Sequence, residues 1–195
     1  MNIIVAPYLK DSFYCRPDST LIRALEEYYL PDYVDSVSVS PVMYVKTLRA
    51  GKAVANRFAE RYIDSYGFGI LIHPTLKEGY FSNRQEYPFI ENSLDYTSVI
   101  PLMSFPHTDI INAPSHKFEV TLNYKSVIEE LKFPSIDNLM NRISNISKYC
   151  SLRIGDFITF ELSEPYPLNN MIKDSEHIRI IGSVDGERIF NFVIK

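Results

Sequence analysis

No tryptophan, only two cysteines and only seven glycines occur among the 195 residues. Cys15 and Cys150 lie far apart, in neither a C-x-x-C nor a metal-ligand spacing. The chain is therefore neither a disulfide scaffold nor a zinc ribbon, and two buried or half-buried free thiols in a reducing compartment are expected. No apolar stretch approaches the ~18 residues that span a bilayer. The opening MNIIVAPYLKD is too short for a signal-peptide core and lacks a basic segment before it. A cytoplasmic protein without membrane contact is the expectation. Positive charge is not in excess either: 20 Lys and Arg against 24 Asp and Glu give a net charge of −4 and a pI near 5.6. That excludes a general affinity for nucleic acid. There is no Walker A or dinucleotide-binding glycine loop, and Ser12, Ser19 and Ser93 sit in no nucleophile elbow. Repeats, linkers and low-complexity tracts are absent.

What is present reads as one domain over residues 1–195. Apolar residues make up 46% and charged residues 23%, enough for a core without a disulfide or structural metal. Tyr and Phe are plentiful, which favours half-buried strand positions. NIIVA at 2–6 reads as a buried strand. Residues 36–45 alternate through Val37, Val39 and then Val42, as a strand with one buried face does; Pro41 implies an edge or a bulge. Ala50, Val54, Phe58 and Tyr62 form an i, i+4 row that predicts a helix over 49–66, closed by Gly67 as a left-handed cap. FGILI is a strand, and Pro74 to Pro88 is loop-like. A strand is predicted at 118–122. Ser135 caps a second helix with the apolar stripe Ile136, Leu139, Met140, Ile143 and Ile146, ending near Cys150. Gly155-Asp156 is a turn before a strand at 157–162. Asp185-Gly186 joins strands 178–184 and 188–194 as a hairpin. The fold class is α+β, rich in mixed or antiparallel sheet, with two main helices.

SIDNLMNRISNISKYCSLRIGDFI resembles the C-terminal half of the fumarylacetoacetate hydrolase family, with Leu139, Ile143, Ser147, Ser151-Leu152, Gly155-Asp156 and Ile158 on the pattern. The closing EHIRIIGSVDGERIFNFVIK is similar to the family's last hairpin, at Asn191 and Val193. YCRPDSTLI resembles "F-x-K-P-D-S-A-L", with Arg16 in the Lys position. EEYYLPDYVDSV, GKAVANRFAERYIDSYGFGI and ENSLD fall in the family's order, so the resemblance spans about residues 12 to 195. It implies a compact β-rich roll, a dimer, and Mg²⁺ or Mn²⁺ held by three carboxylates to polarise a dicarbonyl or 2-oxo acid substrate. It also implies a turn and then a strand at Tyr28 to Leu30, whereas Leu21, Ala24, Leu25 and Tyr28 read locally as helical; a helical turn at 19–25 followed by a strand reconciles the two.

The resemblance carries the family site onto unsuitable residues. The Glu-x-Glu ligands fall on Ser40 and Val42, and the Asp ligand on Leu71. Thr75-Leu76 replace an Arg-Asp pair, and Asn92 replaces the catalytic Lys, while Asp95 survives. Phe160 to Ser163 replace the substrate loop, and the segment that carries the family's lid histidine is missing. Hard cations require several oxygen ligands, mostly charged, so no metal or other cofactor is expected.

The remaining polar candidates around the cleft are Arg16, His73, Asn92, Asp95 and Glu161, with Glu164 beside the last. Each has a bland alternative: a core or loop histidine, a turn-capping Asp, an exposed Glu. Tyr28 and Tyr29 face a pocket or pack. His107, His116 and His177 read as surface residues. Three readings follow. The first is a metal-free family relative without hydrolase activity, acting as a partner subunit (homodimer or mixed dimer with a relative) or a binder of a small carbonyl compound. The second is a metal-independent enzyme with a rebuilt site. The third is a Mg²⁺- or Mn²⁺-dependent acylpyruvate-type hydrolase whose ligands lie in another register.

Overall fold

Strands are the main regular element of the chain. The computed structural model describes residues 1–24, 26–126, 131–168 and 177–195. The first third forms β1 (Asn2–Ala6), β2 (Tyr14–Pro17), β3 (Leu21–Ile22), β4 (Glu27–Tyr28) and the long β5 (Val34–Thr47). A 3-10 segment at Asn56–Tyr62 leads into β6 (Ile63–Leu76). The short helix α1 (Tyr87–Glu91) precedes β7 (Ser98–Val99) and β8 (Phe105–Pro106). Then come β9 (Phe118–Leu122), β10 (Lys125–Ser126) and helix α2 (Ile136–Tyr149). They are followed by β11 (Phe157–Glu161), β12 (Tyr166–Pro167), β13 (Ile178–Val184) and β14 (Glu187–Ile194).

The larger sheet runs β2-β1-β11-β5-β6-β7-β3, with β12 also on β5 and β8 on β6; the smaller runs β10-β9-β13-β14-β4. β1–β11, β3–β7 and β4–β14 pair in parallel, and the other pairs are antiparallel. The fold class is α+β, as the sequence reading has it. The two ends of the larger sheet, β2 and β3, are joined only by the 3-10 turn Asp18–Thr20, so the sheet curls almost closed. Its outer face carries Val39, Met43, Val45, Phe68, Ile70, Ile72 and Ile158 into the main core, together with Leu139, Ile143 and Ile146 of α2 and Phe192 of the smaller sheet. Among the described residues no helix is long and apolar enough to cross a membrane.

Local chemistry explains several elements directly. Ser135 Oγ accepts from Asn138 N at 3.3 Å, and Cys150 ends α2. Asp185 and Gly186 both have positive φ, 53° and 85°, the pair that a two-residue hairpin matching strand twist requires.

The helix predicted over 49–66 forms only as the 3-10 segment Asn56–Tyr62. Gly51 instead bridges Leu152, and Ala53 N and Val54 N bond to Ser147 of α2, its carbonyl and its Oγ. Those tertiary partners take the backbone groups that an i−4 ladder would use. From Ile63 onward the residues pair with β5. Gly67 is therefore no cap. A Cβ there would lie 2.5 Å from the Tyr44 hydroxyl oxygen, and one at Gly69 would lie 2.5 Å from the Val99 carbonyl, so both glycines admit close neighbours. The loop expected from Pro74 begins only after Leu76, and Tyr87–Glu91 is helical. The helical turn at 19–25 is the 3-10 turn followed by β3, paired with β7; Leu25 lies outside the described residues. The strand expected at Tyr28 to Leu30 is Glu27–Tyr28. Pro41 lies in a central strand, where β11, reaching Val42, gives way to β12, starting at Val39. Cys15 is exposed rather than buried.

Candidate functional site

The alternation of β5 and β6 turns two sets of residues onto the inner face of the curled sheet. From β5 these are Ser40, Val42 and Tyr44; from β6 they are Gly67, Gly69, Leu71 and His73. Val42 thus faces opposite to Val37 and Val39, contrary to the one-face reading; both faces of β5 are buried. Ser40 and Leu71 are register partners. Val42 and Leu71 are fully buried in a packed cluster with Ile3, Val5, Tyr44, Ile100 and Phe157. Tyr44 is fixed there by donating to the carbonyls of Pro101 and Met103, at 3.2 and 2.9 Å, and by an edge-on contact with Phe157.

Next to this apolar filling lies a polar network. Arg16, 1% exposed, extends from β2 across the inner face to the far side of the sheet. Its guanidinium donates to the carbonyls of Ile72 and Thr97, at 3.1 and 2.9 Å. Ser98 Oγ is 3.4 Å away and is itself 3.0 Å from Thr20 Oγ1. Arg16 Nη2 lies 3.0 Å from His73 Nδ1. A guanidinium only donates, so Nδ1 accepts and the neutral ring carries its proton on Nε2. That Nε2 faces Glu161 Oε1 at 3.0 Å and Ser40 Oγ at 3.1 Å. Glu161 Oε2 accepts from Tyr8 N at 3.1 Å. The array runs guanidinium, imidazole, carboxylate, with opposite charges at its ends. Arg16 Nε is buried without a partner among the described residues.

Burial is the main cause that holds the His73 pKa below the ordinary histidine value; the Arg16 charge adds to it and the Glu161 hydrogen bond opposes it. An unfolded histidine takes a proton near pH 6.5. Below that pH the unfolded chain therefore binds more protons at this site, and stability falls as pH drops towards the folded value. Urea midpoints at descending pH should show this loss in the parent chain and a flatter profile in His73→Gln; equal slopes would remove His73 from the acid response.

Three of the five cleft candidates, Arg16, His73 and Glu161, thus meet, together with Ser40. Asn92 does not join them; it ends α1. Asp95 lies on an exposed loop, and Glu164 is exposed. Glu161 also lines a cavity of about 260 Å³ with Tyr8, Lys132, Asn138 and Arg142. His116 is not a free surface histidine: it bonds Asp185 at 2.6 Å and Tyr66 at 3.1 Å. Thr20, Ser98 and the Tyr8 amide carry no sequence signal, because their roles depend on strand pairing. Among the described residues no three His, Cys, Asp or Glu side chains form a group that could hold a metal ion.

No protein-family model and no curated protein matches the chain. Solved structures match it over its whole length. A protein assigned to the fumarylacetoacetate hydrolase family from Yersinia pestis CO92 has a TM-score of 0.73 at 16% identity, covering 100% of this chain and 92% of that one. Fumarylpyruvate hydrolase from Pseudomonas aeruginosa, in complex with Mn²⁺ and pyruvate, gives 0.71 at 12%, covering 100% and 90%. Maleylpyruvate hydrolase from Sphingobium sp. SYK-6 gives 0.68 at 15%, covering 100% and 70%. The chain has the fold of fumarylacetoacetate hydrolase family proteins.

Proposed function

We propose that this chain is a metal-free form of the fumarylacetoacetate hydrolase fold, without the family's hydrolase activity. It acts as a partner subunit or a small-molecule binder, as a homodimer or a mixed dimer with an intact relative. One observation carries this reading: Ser40, Val42 and Leu71 are fully buried on the inner face, two of them in a packed apolar cluster. A hard cation needs several oxygen ligands, mostly charged. Two alkyl side chains and a hydroxyl bonded to His73 do not fit one. Chelator-stripped protein titrated calorimetrically with Mg²⁺ and Mn²⁺ should give a flat trace, and acylpyruvates should not be hydrolysed. Clear one-site binding in the micromolar to low-millimolar range would overturn the reading in favour of a metal-dependent hydrolase.

The convergence of Arg16, His73 and Glu161 beside a cavity favours a second reading, a metal-independent enzyme acting on a small carbonyl compound. Glu161 would exchange a proton with the ligand, while Lys132 and Arg142 would attract an acidic group. Deuterium exchange at the carbon next to the carbonyl of 2-oxo acids, followed by NMR, tests it. Exchange catalysed by the parent and lost in Glu161→Gln supports this reading; no exchange above buffer retires it.

A further inference from the structure

A different part of the molecule carries a separate site. A cavity of about 490 Å³ beside β4 is lined by Tyr28, Tyr29, Tyr33 and Tyr96, with Glu27 and Asp95 as the charged groups and no lysine or arginine. Tyr28 is buried, and that burial pushes its phenol up to about 12, so it stays a neutral hydroxyl. An ammonium is already held at the edge of this cavity: Lys195 Nζ pairs with Glu27 and lies 5.5 Å over the Tyr29 ring. Glu27 is thereby neutralised. The Asp95 side chain makes no hydrogen bond or ion pair among the described residues, and its charge acts on the Tyr28 phenol, as does that of Arg16. Aromatic faces attract cations through their quadrupole, and a carboxylate supplies the full countercharge.

We infer that this cavity binds an organic ammonium ion, a primary amine or quaternary ammonium on a short carbon chain. Its charge meets Asp95, and its methylene or methyl groups lie on the tyrosine rings. An aliphatic carboxylate of the same length meets only the Lys195 ammonium, already paired with Glu27, and is repelled by Asp95. The site does not depend on what happened to the inner face, so its test is independent of the metal titration.

The test is a calorimetric titration of the full chain, at low salt, with n-butylammonium and tetramethylammonium chloride, and with sodium butyrate as the matched anion. At least one of the two cations should bind saturably, with a Kd of about 10 mM or tighter, and butyrate should not. Asp95→Asn should weaken cation binding about tenfold. Tyr29→Leu removes an exposed ring, together with its hydroxyl's hydrogen bond to Glu27 and its contact with Lys195, and should weaken it several-fold. Both positions are solvent-facing, so both variants should keep the parent's circular dichroism. Absence of saturation by both cations, equal binding of butyrate, or unchanged affinity in Asp95→Asn would each overturn the assignment.

Discussion

Replacing Arg16 by Met should cost about 3–5 kcal/mol of folding stability, the usual consequence of removing one member of a buried charged network. In a chain of this length that corresponds to a fall in Tm of about 10 °C. The reason lies in what the guanidinium holds. It spans from β2 to the carbonyls of Ile72 and Thr97, and it faces His73, which in turn meets Glu161. Without it, the Glu161 charge is left buried beside a neutral imidazole, and the seam between β2 and the far edge of the sheet loses its link. Arg16→Lys should recover only part of the loss, because a single ammonium cannot reproduce the planar fork. The double variant Arg16→Met with Glu161→Leu should lose less than the sum of the two single changes, since each single change strands the other charge. Urea unfolding of the parent and the four variants decides the matter. A cost for Arg16→Met below about 1 kcal/mol would mean that the network is solvated and that the seam does not need it.

Val42→Glu should be comparably damaging at neutral pH, at about 3 kcal/mol or more. The position is 0% exposed and surrounded by Ile3, Val5, Leu71, Ile100 and Phe157. A carboxylate there has no counter-ion in that cluster. Burial would raise its folded pKa above the unfolded value of about 4.3. A raised carboxyl pKa makes folding most favourable below the unfolded value, and stability declines as pH rises through the folded one. The deficit of Val42→Glu relative to the parent should therefore shrink towards pH 4 and grow towards pH 8. Chemical denaturation of both chains at several pH values measures this. A variant as stable as the parent at pH 8 would show that the inner face holds room and water for a charge, which would undo the main support for a metal-free interior.

Residues far apart in sequence show how unevenly the site could be read in advance. Ser40, Val42 and Leu71 were identifiable through the motif resemblance, and their meeting on one face follows from strand alternation and the Ser40–Leu71 pairing. His73 and Glu161 were only separate candidates. Nothing in either segment says that β11 and β6 flank β5 on opposite sides, which is what lets the imidazole reach the carboxylate. Arg16 stands in the lysine position of the family pattern. Its reach across the inner face depends on the near-closure of the sheet. Asn92 and Asp95 fall on family positions by order and spacing, Asn92 in place of the lysine, yet such a match carries no information about side-chain direction, and neither residue joins the network.

The sequence alone determined the elements whose signals are local. The Ser135 cap with its apolar stripe specifies α2, Asp185-Gly186 specifies the last hairpin, and the α+β class follows from many short strands around few helices. These features rest on interactions within a few residues, so they survive whatever the rest of the chain does. Tertiary structure decided the remainder. Residues 49–66 carry a helical period, but only Asn56–Tyr62 coil, as a 3-10 segment; Gly51, Ala53 and Val54 bond to Leu152 and Ser147, and the residues from Ile63 pair with β5. A weak local preference summed over one segment loses to a ladder of strand pairs and a shared core. The same long-range pairing brings together Arg16, His73 and Glu161, since contacts between residues 57 or more positions apart leave no periodic trace in the sequence.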